Sequence, residues 1–200
     1  MKNRMKHRKK NSNNKRGTTI GVMGIGVGAG TTTIAIALAH YLQSMGYKVA
    51  ILEMCKRDAF TNLEDYVKGT SSEQVLFRYK GVDYYKKVED YLLYQILPKN
   101  YDYYLYDLGN GRNAIKEMIR SDYKIVVMLH SEWRDGEIVE FCQAYQSEEW
   151  FQDIILVNNL HCKSEEKKKW KNQYNIPLVW DKYKVAPEIR RVFREIIELY

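Results

Sequence analysis

Cysteine is scarce in this chain, and what there is has no pattern of a cross-linked framework. Cys55, Cys142 and Cys162 are odd in number, scattered, and form no CxxC pair. That favours reduced thiols and a cytoplasmic setting over a disulfide framework. His161 stands beside Cys162, but the two lack metal-ligand spacing. Long hydrophobic runs are also missing. None approaches the roughly 18 residues of a membrane span, so no transmembrane segment is expected. The first residues have no apolar core for a secretion signal. No internal repeat is present.

Acid is absent from residues 1–16, which hold eight Lys and Arg. Removing those eight from the 32 basic residues leaves 24 against 25 acids, so the net charge of +7 belongs to this tail. Low hydropathy and self-repelling charge predict a disordered tail. It could attach the protein to nucleic acid or to an anionic membrane surface, each cation being worth about 1 kcal/mol near such a membrane. It could equally be a solvated leader. Residues 17–200 are near neutral and suit one domain. With 45% of the chain apolar, a sizeable core is available.

Short apolar runs alternate with helical patterns from residue 18 onward. Strands are predicted over 18–23, 48–53, 103–107, 124–129, 154–158 and 176–180. Helices are predicted over 31–45, 59–67, 86–96, 112–120, 135–146 and 164–173, and a small hairpin around Lys80-Gly81. Several runs are apolar at consecutive positions, as in strands covered on both faces. The alternation predicts an α/β fold: a doubly wound, mostly parallel sheet with helices on both faces. After Pro187, Ile189, Val192, Phe193, Ile196, Ile197 and Tyr200 share one helix face, opposite arginines and glutamates. Such a helix could lie on a membrane or a partner. Its mixed-sign polar face favours a helix that closes the sheet. The lysines at 167–169 and 171 read as a solvated helix face.

The most informative absence is a lysine. The segment GVMGIGVGAGTTT, Gly21–Thr33, follows a predicted strand and opens a predicted helix. Strand, glycine loop and helix hold phosphate through backbone N–H groups and the helix dipole. A nucleotide-hydrolysing loop would carry lysine after Gly30, where Thr31 stands.

The stretch GVGAGTTTIAIALAHYLQSMGYKVAILE resembles the opening of the MinD/ParA class of P-loop ATPases, whose deviant Walker A motif reads GKGGVGKTT. Gly28 and Gly30 match its glycines, and Thr32 and Thr33 its two hydroxyl residues. Ile25 replaces the first glycine, Gly26 the signature lysine, Val27 the next glycine and Thr31 the general P-loop lysine. The resemblance implies binding of ATP or ADP through Gly26, Val27, Gly28, Ala29, Gly30, Thr31, Thr32 and Thr33. It implies Mg²⁺ on the Thr32 hydroxyl and on Asp107, the acid of YDYYLYDLGNG. Glu53 matches the first aspartate of a catalytic DxD pair, and Cys55 the second. Asn158 matches an asparagine that reads adenine in some members, with Asn159 an equally placed competitor. Atypical TadZ/CpaE-like members position pilus machinery. Loss of both lysines should impair hydrolysis more than binding, because charge grows in the transition state.

The resemblance therefore implies an atypical or catalytically impaired ATPase, acting in positioning or assembly of a pilus, secretion system or DNA cargo. The resemblance adds a homodimer or another protein partner. Two alternatives stand beside it. One is a scaffold of the same fold without nucleotide, using surface residues such as Trp133 and Arg134. The other is a Rossmann NAD(P)-binding oxidoreductase, since Gly24 to Ala29 fits GxGxxA and Glu53 ends the second predicted strand.

Overall fold

A computed structural model describes residues 16–111, 114–131, 133–160, 172–177 and 181–199. The basic segment up to residue 15, the lysine-rich run 167–171, residues 178–180 and Tyr200 lie outside the described residues. The elements run β1 (Thr18–Gly24), α1 (Thr31–Ser44), β2 (Val49–Glu53), α2 (Ala59–Lys68), β3 (Leu76–Tyr79), β4 (Val82–Tyr85), α3 (Asp90–Ile96) and β5 (Tyr103–Asp107). They continue with α4 (Ala114–Arg120), β6 (Tyr123–Met128), α5 (Asp135–Tyr145), a 3-10 turn (Glu149–Asp153), β7 (Ile154–Asn158), β8 (Gln173–Asn175) and α6 (Pro187–Ile197).

One sheet has the order β3-β4-β2-β5-β1-β6-β7-β8. Every neighbouring pair is parallel except β3 and β4. Those two are joined by Lys80 and Gly81, both at positive φ, the turn geometry that suits a two-residue hairpin. β1 lies between β5 and β6, and all its residues after Thr18 are buried. Strand alternation divides the core into two layers. Ile20, Val22, Ile51, Leu105, Ile125 and Val127 face α1 and α6, with Tyr84 and Phe193. Met23, Leu52, Tyr104, Tyr106, Val126 and Met128 face the other layer, with Met118, Ile138 and Trp150. At Gly21 a β-carbon would stand 2.7 Å from Ser121 Oγ and 3.1 Å from Met118 Sδ, so glycine lets the end of α4 approach β1.

α6 buries Ile189, Phe193 and Ile196, with Phe193 against Tyr41 of α1 at a ring-centroid distance of 5.7 Å. The apolar face closes the sheet and is not left for a membrane. Two boundaries differ from expectation. The helix predicted over 86–96 begins at Asp90, because Lys86 turns inward to Glu64 and the Val88 amide bonds the Glu53 carbonyl. The last strand among the described residues is Gln173–Asn175, so residue 173 is not helical. Of the strand predicted over 176–180, residues 176 and 177 are not in a strand and 178–180 lie outside the described residues. Ile176 still donates to the Asn158 carbonyl, and Pro177, which has no N–H, cannot extend that ladder.

Candidate functional site

The glycine loop lies at the C-terminal edge of the sheet, where open parallel sheets place their ligands. Gly28 and Gly30 adopt φ of 77° and 90°, a region open to glycine at little cost. The loop is tied to both neighbouring strands. Gly24 N–H donates to the Gly109 carbonyl at 2.7 Å, and Ile25 N–H to the Val127 carbonyl at 2.9 Å. Asn159 Nδ2 holds the Ala29 carbonyl at 3.0 Å, and a β-carbon at Gly30 would collide with that same amide. The first α1 bond runs from Ile34 N–H to the Gly30 carbonyl. The amides of Thr31, Thr32 and Thr33 come before it and have no acceptor within the helix. Amides in that position favour an anion. Thr31 is buried with its hydroxyl toward Gly24, Thr32 and Thr33 are half-buried, and Val27 is exposed at the loop tip.

Below the loop, Thr32 Oγ1 donates to Asp107 Oδ2 at 2.6 Å. Asp107 is fully buried, and burial raises its carboxyl above the ordinary 3.8 although the Thr32 hydroxyl, the Gly109 amide and the Arg57 charge oppose this. Glu53 lies opposite Asp107 in the β2–β5 register. Its Oε1 accepts from Ala59 N–H at 2.6 Å and Phe60 N–H at 3.3 Å, which fixes the first turn of α2. Burial raises this carboxyl too, against the pull of those amides and that of Lys87. Cys55 packs on Gly109, and burial with the nearby Asp107 and Glu53 charges pushes its thiol up to about 12. It is a neutral thiol at physiological pH.

Asn158 is buried at the end of β7, where its Oδ1 accepts from His130 N–H at 3.2 Å. Two arginines flank the loop. Arg57 donates to Asn110 Oδ1 at 2.6 Å, and Arg134 to the Val27 carbonyl at 2.9 Å. Arg57 carries no motif in the sequence, and Arg134 is expected only on the surface of the scaffold alternative. Contacts across 53 and 107 positions leave no local pattern; the one signal for Arg134 is a glycine at 26 where the family carries a lysine.

The donor set near Asp107 is a carboxylate and a hydroxyl, both hard oxygens suited to Mg²⁺. No group of three His, Cys, Asp or Glu that could hold a metal occurs among the described residues. A cation here would take most of its ligands from phosphate and water, as Mg²⁺ commonly does. The Rossmann alternative fails on topology. β5 separates β1 from β2, whereas a dinucleotide fold pairs those strands directly, and Glu53 is engaged with α2.

No protein-family model and no curated protein sequence matches the chain. Solved structures do match. A plasmid partition protein of Borrelia burgdorferi bound to AMPPNP superposes with a TM-score of 0.64 at 17% identity, over 92% of this chain and 98% of that one. The chain has the ParA/MinD fold. A ParA family ATPase from Chlorobium tepidum gives 0.55 at 14% identity, covering 91% and 98% of the two chains. The MinD cell division protein of Aquifex aeolicus gives 0.55 at 16%, covering 72% and 70%. Within the ParA/MinD fold the lysine-free loop, Thr32 and Asp107 meet at one edge of the sheet.

Proposed function

We propose that this chain binds ATP or ADP with Mg²⁺ and uses the bound state to position or assemble a larger machine. The Thr32–Asp107 hydrogen bond beneath the glycine loop carries this reading, because it joins a metal-binding hydroxyl to a metal-binding acid. In this reading the backbone of Gly26 to Thr31 and the amides of Thr32 and Thr33 hold phosphate, and Asn158 and Asn159 flank the base. Thr32 and Asp107 would hold Mg²⁺, which supplies charge neutralisation at the phosphates when bound. Glu53 serves by fixing α2 beside Asp107.

Hydrolysis is weak or absent in this proposal. The loop lacks lysine, and the Cys55 thiol stands protonated where the resemblance places a water-orienting aspartate. Without a lysine on the β- and γ-phosphates, less of the charge that develops in the transition state is offset. The fold's bearers in plasmid partition and cell division support a positioning role, with DNA or a pilus or secretion assembly as cargo and a second copy or another protein as partner. Steady-state ATP turnover is the check. Purified protein should turn over far more slowly than a lysine-bearing P-loop ATPase while Mg-ATP still raises its melting temperature. Fast turnover abolished by Asp107→Ala would contradict the impaired reading. Residues 1–16 are proposed to bind anionic lipid or nucleic acid, so deleting them should lower binding to anionic vesicles or DNA, most strongly at low salt. Equal binding by the truncated chain would remove the tail from the account.

A further inference from the structure

The loop lacks lysine, but a cation stands on it. Arg134 reaches from the segment between β6 and α5, and its Nη2 donates to the Val27 carbonyl at 2.9 Å. Nη2 and Nε also donate to one oxygen, Glu137 Oε2, at 2.9 and 3.1 Å. The Arg134 side chain is only 16% exposed, and that of Glu137 is 48% exposed. Gly26 makes room for this pair. A β-carbon at residue 26 would stand 2.5 Å from Arg134 Nη2 and would collide with the Glu137 carboxylate. The pair thus occupies the space into which any side chain at residue 26 would project. A lysine at 26 would have to push this ion pair aside.

We propose that Arg134 is the phosphate-binding cation of this site, supplied by the chain itself from the loop after β6, with Glu137 as the latch that holds it before nucleotide arrives. This inference rests on the nucleotide reading above. Arg134 spends two donor groups on a single carboxylate oxygen, and its Nη1 has no partner among the described residues. A phosphate at the loop offers several oxygens at once, which suits the planar guanidinium fork better than one oxygen and one carbonyl. Releasing Glu137 costs little, because it is half-exposed and borders an open cavity of about 370 Å³ next to Gly24 and Ile25. Arg57, the other nearby guanidinium, is bonded to Asn110 in the loop after β5 and not to the glycine loop.

The test is calorimetric titration of the full chain with Mg-AMPPNP and Mg-ADP. It compares wild type with Arg134→Ala, Arg134→Lys, Glu137→Gln and Thr32→Ala, each checked for a cooperative melt without ligand. Arg134→Ala should weaken binding about tenfold or more, the loss expected for a charge-assisted bond. Its remaining affinity should depend less on salt than that of wild type. Arg134→Lys should recover part of the loss by keeping the charge without the fork. Glu137→Gln should bind a few-fold more tightly, and it carries the test alone if Arg134→Ala does not fold. Wild-type affinity in Arg134→Ala, with Thr32→Ala weakened, would overturn the inference and leave the nucleotide reading standing. Weaker binding by Glu137→Gln would overturn the latch. No binding by any variant, wild type included, would overturn both.

Discussion

The Thr32 hydroxyl and the Asp107 carboxylate lie 2.6 Å apart, although 75 positions separate them in the chain. α1 brings one and β5 the other, and their meeting depends on β1, which leads into α1, lying beside β5. Because burial raises the Asp107 carboxyl, its charged form opposes folding in the free protein. Asp107→Asn keeps an acceptor for Thr32 and removes that charge. The free variant should therefore be as stable as wild type or more stable by up to about 1 kcal/mol in urea. For a carboxyl raised by folding, the favourable contribution is full below its ordinary 3.8 and is lost as pH rises through the folded value. The advantage of the variant should thus vanish in acid and grow toward neutral pH, while Mg²⁺ no longer strengthens nucleotide binding.

Gly30 and Asn159 compete for one small volume. Gly30→Ala adds a β-carbon at φ 90° and drives it into the Asn159 amide. It should cost about 1–3 kcal/mol by chemical denaturation. Asn159→Ala should cost about 1 kcal/mol through the lost bond to the Ala29 carbonyl. In the double variant the collision is gone but the positive φ remains, so the total should be less than the sum of the two.

His40 gives a pH signature away from the site. It is buried and bonded through Nε2 to the Tyr84 hydroxyl at 2.7 Å. Burial and the Lys80 charge lower its pKa from 6.5 to about 4, against Asp181. The fold prefers the neutral ring, so the contribution of His40 is full above 6.5 and is lost as pH falls toward 4. The loss should reach about 3 kcal/mol. A His40→Gln variant keeps a polar group for Tyr84. The stability difference between it and wild type should shift by that amount across this window.

Glu64 and Lys86 form a buried ion pair at 2.6 Å. Burial acts against the Glu64 charge, but hydrogen bonds from Lys86, Lys68 and the Ser72 amide win and hold its carboxyl down at about 2. Lys86→Met leaves only the half-exposed Lys68 as a counter-ion. It should cost about 3–5 kcal/mol by urea denaturation. Glu64→Met with Lys86→Met should cost less than Lys86→Met alone, because no uncompensated charge stays buried.

These cases mark what was legible in the residues. The strand–loop–helix of Thr18–Ser44, the Lys80-Gly81 hairpin and the apolar face of α6 follow local periodicity and turn chemistry, and all three appear in the fold. Lys86 read as the start of a helix because its ion pair with Glu64, 22 positions away, has no local trace. The polar β8 was hidden for a similar reason: an edge strand needs backbone pairing more than an apolar pattern, and the eye falls on the apolar run beside it. At the site, Thr32 and Asp107 are paired in the sequence only through the resemblance to the MinD/ParA class, and the fold joins them by a hydrogen bond. Arg134 could not be placed there from the residues, since it reaches the loop only once β6 lies beside β1.

The central claim is that a lysine-free loop still holds a nucleotide. Titrating the full chain with Mg-AMPPNP in a calorimeter, beside Thr32→Ala, tests it most directly. If the loop holds nucleotide, wild type binds saturably and one-to-one, and Thr32→Ala weakens that binding at least several-fold. An absence of binding heat and of any melting-temperature shift at millimolar Mg-AMPPNP would contradict it.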